Sequence, residues 1–189
     1  MDQGRAALRY AHPVRRAVAY LVDGIVVAAL VFLAVTVMTV LFGPTVRFDD
    51  SSTSGLIVDR GRAAANTIVA VLVGGLYFIG SWVRTGRTVG AALLDLHVAS
   101  VSGERLLSVG EAAIRWIVIG APLALLSPIV RGSPRLVAGL TLVTIAWAIV
   151  LLVTTIVDGR HRGLHDRVAG SVVLRGAAPR PPRIVDVTT

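Results

Sequence analysis

One acidic residue, Asp23, stands inside an otherwise uncharged apolar run from Ala17 to Phe42. An Asp at the centre of a membrane helix costs about 2.5–3.5 kcal/mol on insertion scales, so such residues face protein or water rather than lipid. Two readings follow. Asp23 is an ion or proton site, or part of a polar path through the bilayer; or it bonds a basic side chain of a neighbouring helix and fixes register. Arg16 precedes it on the same helix face, about 10 Å of axial rise away. Arg16 can equally act with Arg15 as an anchor that reaches toward lipid headgroups. The expectation for Asp23 is a buried pair with an arginine from another cytoplasmic helix end, Arg16 or Arg115 being the best candidates.

A second cluster is His161, His165 and Asp166, spaced H-x-x-x-H-D. Two histidines four apart share a helix face and can ligate a metal. Gly159 and Gly163 interrupt a regular helix here, so the segment reads as a polar turn after the last apolar run, with no metal site and no cofactor. Gly86-Arg87-Thr88-Val89-Gly90 lacks the spacing of a phosphate-binding loop and reads as a tight turn at the membrane surface. Neither a Ser-His-Asp order nor H-E-x-x-H occurs, so no enzymatic activity is expected.

The elements that must position these residues are set by composition. Hydrophobic residues make up 54% of the 189 and charged residues 16%, against about 25% in a soluble domain. Such a chain lacks the polar surface that water requires. With no cysteine, disulfides and thiol chemistry are excluded. The net charge of +8 comes entirely from arginine, clustered at the ends of apolar runs. That placement suits headgroup anchoring and the positive-inside rule, and no nucleic-acid partner is expected.

Four runs are long enough, or nearly so, for the roughly 20 residues of a membrane helix: 17–42, 63–83, 112–130 and 136–157. The expected fold is an all-α integral membrane protein with four transmembrane helices and a small cytoplasmic β-hairpin or short strands. Four crossings put fourteen arginines on the side of both termini and five, Arg47, Arg60, Arg62, Arg131 and Arg135, on the other. Both termini are therefore expected in the cytoplasm, with the chain multi-pass in the cell membrane. Residues 1–13 form a cytoplasmic tail, 14–175 the transmembrane domain, and 176–189 a disordered tail.

Between the second and third runs, Leu94 to Val98 alternates apolar and polar residues and Ser102-Gly103-Glu104 reads as a turn. A hairpin of 96–101 with 104–107 is expected, with 171–174 as a third strand; the alternative is one amphipathic helix from Val89 to Val101. Ser108 and Glu111 have the spacing of a capping box, so a helix should begin near Val109.

Three blocks resemble the RDD family of membrane proteins. Arg16 to Asp23 is similar to the family's opening R-x-x-A-x-x-I-D, with Val22 in place of Ile. Gly86-Arg87-Thr88-Val89-Gly90 resembles its G-x-T-x-G-K, with Ala91 where the Lys would stand. Gly163-Leu164-His165-Asp166 through Val173 resembles its close, G-L-H-D-x-x-A-G-T-x-V-V. The resemblance runs from Val14 to Leu174 and implies that Arg16, Asp23 and Asp166 are the residues for which the family is named. It further implies transport of unidentified ligands, with cation/proton antiport in some members.

The functional expectation is transport, or an accessory role in it, for an unidentified ligand. The polar or ion site is Arg16, Asp23 and Asp166, with Arg115 and His165 secondary. Four short helices hardly enclose a path, so the partners expected are the bilayer and a second copy or another membrane protein. The rival is a non-transporting scaffold or regulator that recruits cytoplasmic partners.

Overall fold

The computed structural model describes residues 9–48, 55–125, 134–176 and 178–179. The long helices are α1 (Pro13–Phe42), α2 (Arg60–Arg84), α4 (Val109–Leu125) and α5 (Pro134–Val157), with two short ones, α3 (Val89–Leu93) and α6 (Leu164–Val168). Four strands, β1 (Val46–Phe48), β2 (Leu56–Val58), β3 (Leu96–Ser100) and β4 (Ser171–Arg175), form two separate two-stranded sheets.

Among the described residues, three helices are long and apolar enough to cross a bilayer: Pro13–Phe42, Arg60–Arg84 and Val137–Val157. The described part of α4 is 17 residues long, and the rest of the expected third run extends beyond the described residues. α1 begins where Pro13 removes an N–H that would have no acceptor, with the His12 ring accepting from Val14 N. It ends at Gly43, whose φ of 86° breaks the helix.

The α2–α4 seam is built on small residues. Gly74 and Gly75 leave room for Trp116; a Cβ on Gly74 would lie 2.8 Å from the indole. Trp116 stacks on Phe78 with centroids 5.1 Å apart, and Phe78 meets Trp82 at 5.2 Å. α4 meets α5 through a defect in its own ladder. Pro122 has no N–H to offer the carbonyl of Val118. The Trp147 indole of α5 donates to that carbonyl instead, at 2.9 Å.

The expected hairpin of 96–101 with 104–107 is not what forms. β3 pairs antiparallel with β4 along its whole length, Leu96 opposite Arg175 and Ser100 opposite Ser171. The segment foreseen as a third strand is thus the direct partner. Its intended neighbour contributes one bond, Ser100 N to Arg105 O at 2.9 Å, before Leu107 turns into the core. That turn is fixed by the capping box, in which Glu111 accepts from Ser108 N at 2.8 Å and from Arg105. The continuous helix through Val101 does not form either. Asp95, at φ 53°, separates α3 from β3.

Both edges of this sheet are covered by the chain itself. Ala11 N donates to Val173 O and Arg175 N to Arg9 O along β4, while Val98 N donates to Gly86 O along β3. Covered edges leave no template for a further strand. The loop expected after α1 holds β1 and β2, paired Val46 with Val58, a hairpin that alternation over three residues is too short to reveal. The tails 1–8 and 180–189, including most of the tail expected to be disordered, lie outside the described residues.

Candidate functional site

Two buried carboxylates organise the sheet end of the bundle, and they are solvated in different ways. Asp23 on α1 is 1% exposed and accepts three hydrogen bonds, all from neutral donors. Tyr77 of α2 donates its hydroxyl at 2.7 Å, Thr88 its hydroxyl at 2.6 Å and Gly90 its backbone N–H at 2.8 Å. The Gly86–Gly90 turn wraps this carboxylate. Thr88 Oγ1 also caps α3 by accepting from Ala91 N, and Val89 N donates to the Tyr77 hydroxyl.

Gly90 is where α3 meets the α1 backbone. A Cβ there would collide with the carbonyl oxygen of Ala19. Only a glycine lets its N–H come close enough to reach Asp23.

Asp166, fully buried at the start of α6, takes the arginines expected on Asp23. Arg16 of α1 donates to its Oδ2 and Arg115 of α4 to its Oδ1. This corrects the expected Asp23–arginine pair. Asp166 also accepts from Gly163 N at 3.1 Å, which closes the turn before α6. Arg115 further donates to Ser171 Oγ at 2.6 Å and to the Tyr20 hydroxyl at 3.0 Å, and lies over the Trp82 ring at 4.9 Å. Arg16 donates to the His161 carbonyl and meets His165 Nε2 at 3.1 Å.

The charge states follow from these surroundings. Burial opposes ionisation of Asp166, but the guanidiniums of Arg115 and Arg16 outweigh it and hold the carboxyl well below the usual range. Burial pushes the His165 imidazole down to about 3; the Asp166 charge resists this and the two arginines reinforce it. His165 is therefore neutral at pH 7, a polar ring held between Arg16 and the Tyr20 hydroxyl, which lies 3.4 Å from Nε2. The His161 ring lies edge-on to His12 at 6.1 Å.

The residues singled out from the sequence thus fall into one region but two groups: Arg16, Arg115, His165 and Asp166 together, and Asp23 beside them. A cavity of about 20 Å³ joins the groups, lined by Asp23, Thr88, Arg16 and Arg115. That is room for about one water. Tyr20, Tyr77, Thr88 and Gly90 carry the site without having been singled out as site residues. Only the G-x-T-x-G block pointed at the last two.

The geometry ties the opening block to the middle block through Asp23 and to the closing block through Arg16. A family model described as RDD family matches residues 10–170, which contain the first two blocks and the closing one as far as Gly170. The chain belongs to the RDD family. No match was found among curated proteins or among solved structures. As an RDD protein with long apolar helices, it is a membrane protein, and the bonds of Arg16, Asp23 and Asp166 join α1, α3, α4 and α6.

Proposed function

We propose that this RDD protein works in transport, as a carrier or an accessory subunit, for a small cation or proton, with Asp23 as the exchanging group. The observation that carries the reading is the set of partners around Asp23. Both nearby arginines bind Asp166, so Asp23 is a buried carboxylate balanced by neutral donors alone. A carboxylate without a cationic partner can take a proton or a small cation, whereas a salt-bridged one is already satisfied. Ionisable residues inside membrane bundles mark ion pathways by default.

The reading includes four crossings, with 112–130 as the third, and both termini in the cytoplasm, as the arginine distribution favours. The cavity beside Asp23 has room for about one water among the described residues, so the reading needs more than this cavity as a solute path. Association with a second copy or another membrane protein supplies the remainder.

The scaffold reading draws on the same small cavity. Recruitment of a partner by strand addition is disfavoured, because both edges of the β3–β4 sheet are covered by the chain itself.

Proteoliposomes holding the purified full chain and a pH-sensitive dye test the proposal. A sodium or potassium gradient should drive proton movement with wild-type protein and not with Asp23→Asn. Equal movement with both would overturn it, and absence of movement with wild type would remove the carrier reading.

A further inference from the structure

α1 and α5 do not close against each other along their whole length. Between them runs a groove of about 410 Å³, within the roughly 300–1,000 Å³ range of ligand pockets. Its walls are Ala17 and Leu21 of α1 and Ala148 and Leu152 of α5, spaced four residues apart on each helix and therefore stacked on one face. One end is polar: Arg16, Tyr20, Thr155 and His165 line it. From Thr155 to Ala148 the groove extends about 10 Å along the helix axis toward the middle of the membrane.

We propose that this groove holds an anionic phospholipid of the leaflet at the sheet end, with its phosphate at the Arg16 end and an acyl chain between α1 and α5. Three observations carry the proposal. The polarity order is that of an amphiphile standing in a leaflet, with a cationic end at the bundle's polar surface and apolar walls deeper in. At the polar end Arg16 and Arg115 have one ion-pair partner between them, the carboxylate of Asp166, and His165 is neutral. Asp23 spends its three bonds on neutral donors. Finally, Arg16 and His165 are at most 4% exposed, yet Arg16 Nε and His165 Nδ1 have no hydrogen-bond partner. Buried polar atoms without partners are rare and call for a ligand or water. A buried guanidinium beside apolar walls is suited to phosphate. The proposal does not depend on transport or on which side of the membrane the sheet end faces.

Native mass spectrometry of the delipidated full chain, titrated with phosphatidylglycerol or phosphatidylcholine, tests it. Arg16 variants would disturb the buried cluster, so the groove is filled instead, by Ala148→Trp. Ala146→Trp, on the same helix and outside the groove, is the control. Wild type and Ala146→Trp should retain one phosphatidylglycerol about tenfold more tightly than phosphatidylcholine. Ala148→Trp should lose that preference while keeping its melting temperature. Equal retention of the two lipids would overturn the proposal, as would an unchanged preference in Ala148→Trp. So would displacement of phosphatidylglycerol by millimolar inorganic phosphate, or a dimer that Ala148→Trp dissociates.

Discussion

Arg115 and Asp166 are both fully buried, and the guanidinium of the first donates to Oδ1 of the second across the interface between α4 and α6. Arg16 completes the arrangement on Oδ2. One carboxylate thereby fastens α1, α4 and the turn that leads into β4. The partners that seemed fitted to Asp23 are consumed here, and Asp23 is left to neutral donors.

Asp166→Asn should strand two buried cations. Breaking a buried pair costs about 3–5 kcal/mol, and the melting temperature in detergent should fall accordingly. Replacing the three charges together, Arg16→Met with Arg115→Met and Asp166→Leu, should recover most of the loss, because no charge of this cluster is then left without its partner. A single variant as stable as wild type would mean that water reaches the cluster.

The contact between α1 and α3 predicts opposite outcomes for two glycines. Gly90→Ala drives a methyl into the Ala19 carbonyl oxygen and should separate Asp23 from the Gly90 N–H. Ala19→Gly cannot rescue it, since the collision is with backbone. Gly24→Ala, where an added Cβ would meet nothing within 4 Å, should be neutral or stabilise α1 by up to about 1 kcal/mol. Thermal melts of the two variants check the contrast.

Stability should fall on acidification below about pH 6.5. His165 has a folded pKa of about 3, below its ordinary 6.5, so the unfolded chain binds the extra proton between these values. The favourable contribution is full above pH 6.5 and is lost as the pH falls toward 3. Asp166, also depressed, adds a loss in the same direction below the ordinary carboxylate range. Melting temperature measured from pH 7.5 to 4.5 should decline in wild type and decline less in His165→Gln.

Reporter fusions check the topology. A fusion at the C-terminus should be active only with a cytoplasmic reporter. One placed between residues 48 and 55 should be active only with an exported reporter. Export of the C-terminal reporter would remove the four-crossing arrangement.

The long helices were legible because uncharged runs of this length have no other solvent than lipid. Asp23, Arg16 and Asp166 were legible because charge is costly there. Their pairing was not. Arg16 and Asp23 share a face of α1, with both side chains buried, yet they serve different carboxylate centres. Periodicity gives direction along a helix but not which of two buried anions, one of them distant in sequence, an arginine meets. The hairpin was misjudged for a related reason. Local alternation marks a strand without naming its partner, and β3 found β4 from the far end of the chain. Thr88 and Gly90 look like turn residues and are turn residues. Their second role as donors to Asp23 depends on the close approach of α3 to Ala19, which sequence does not reveal.

The central claim is that Asp23, and not Asp166, is the buried carboxylate free to exchange a proton or cation. Infrared difference spectra of the reconstituted protein, recorded on acidification and on sodium exchange, test it most directly. The account predicts a buried-carboxyl signal in wild type that disappears in Asp23→Asn, with the amide bands of the folded protein unchanged. The same signal persisting in Asp23→Asn would contradict it.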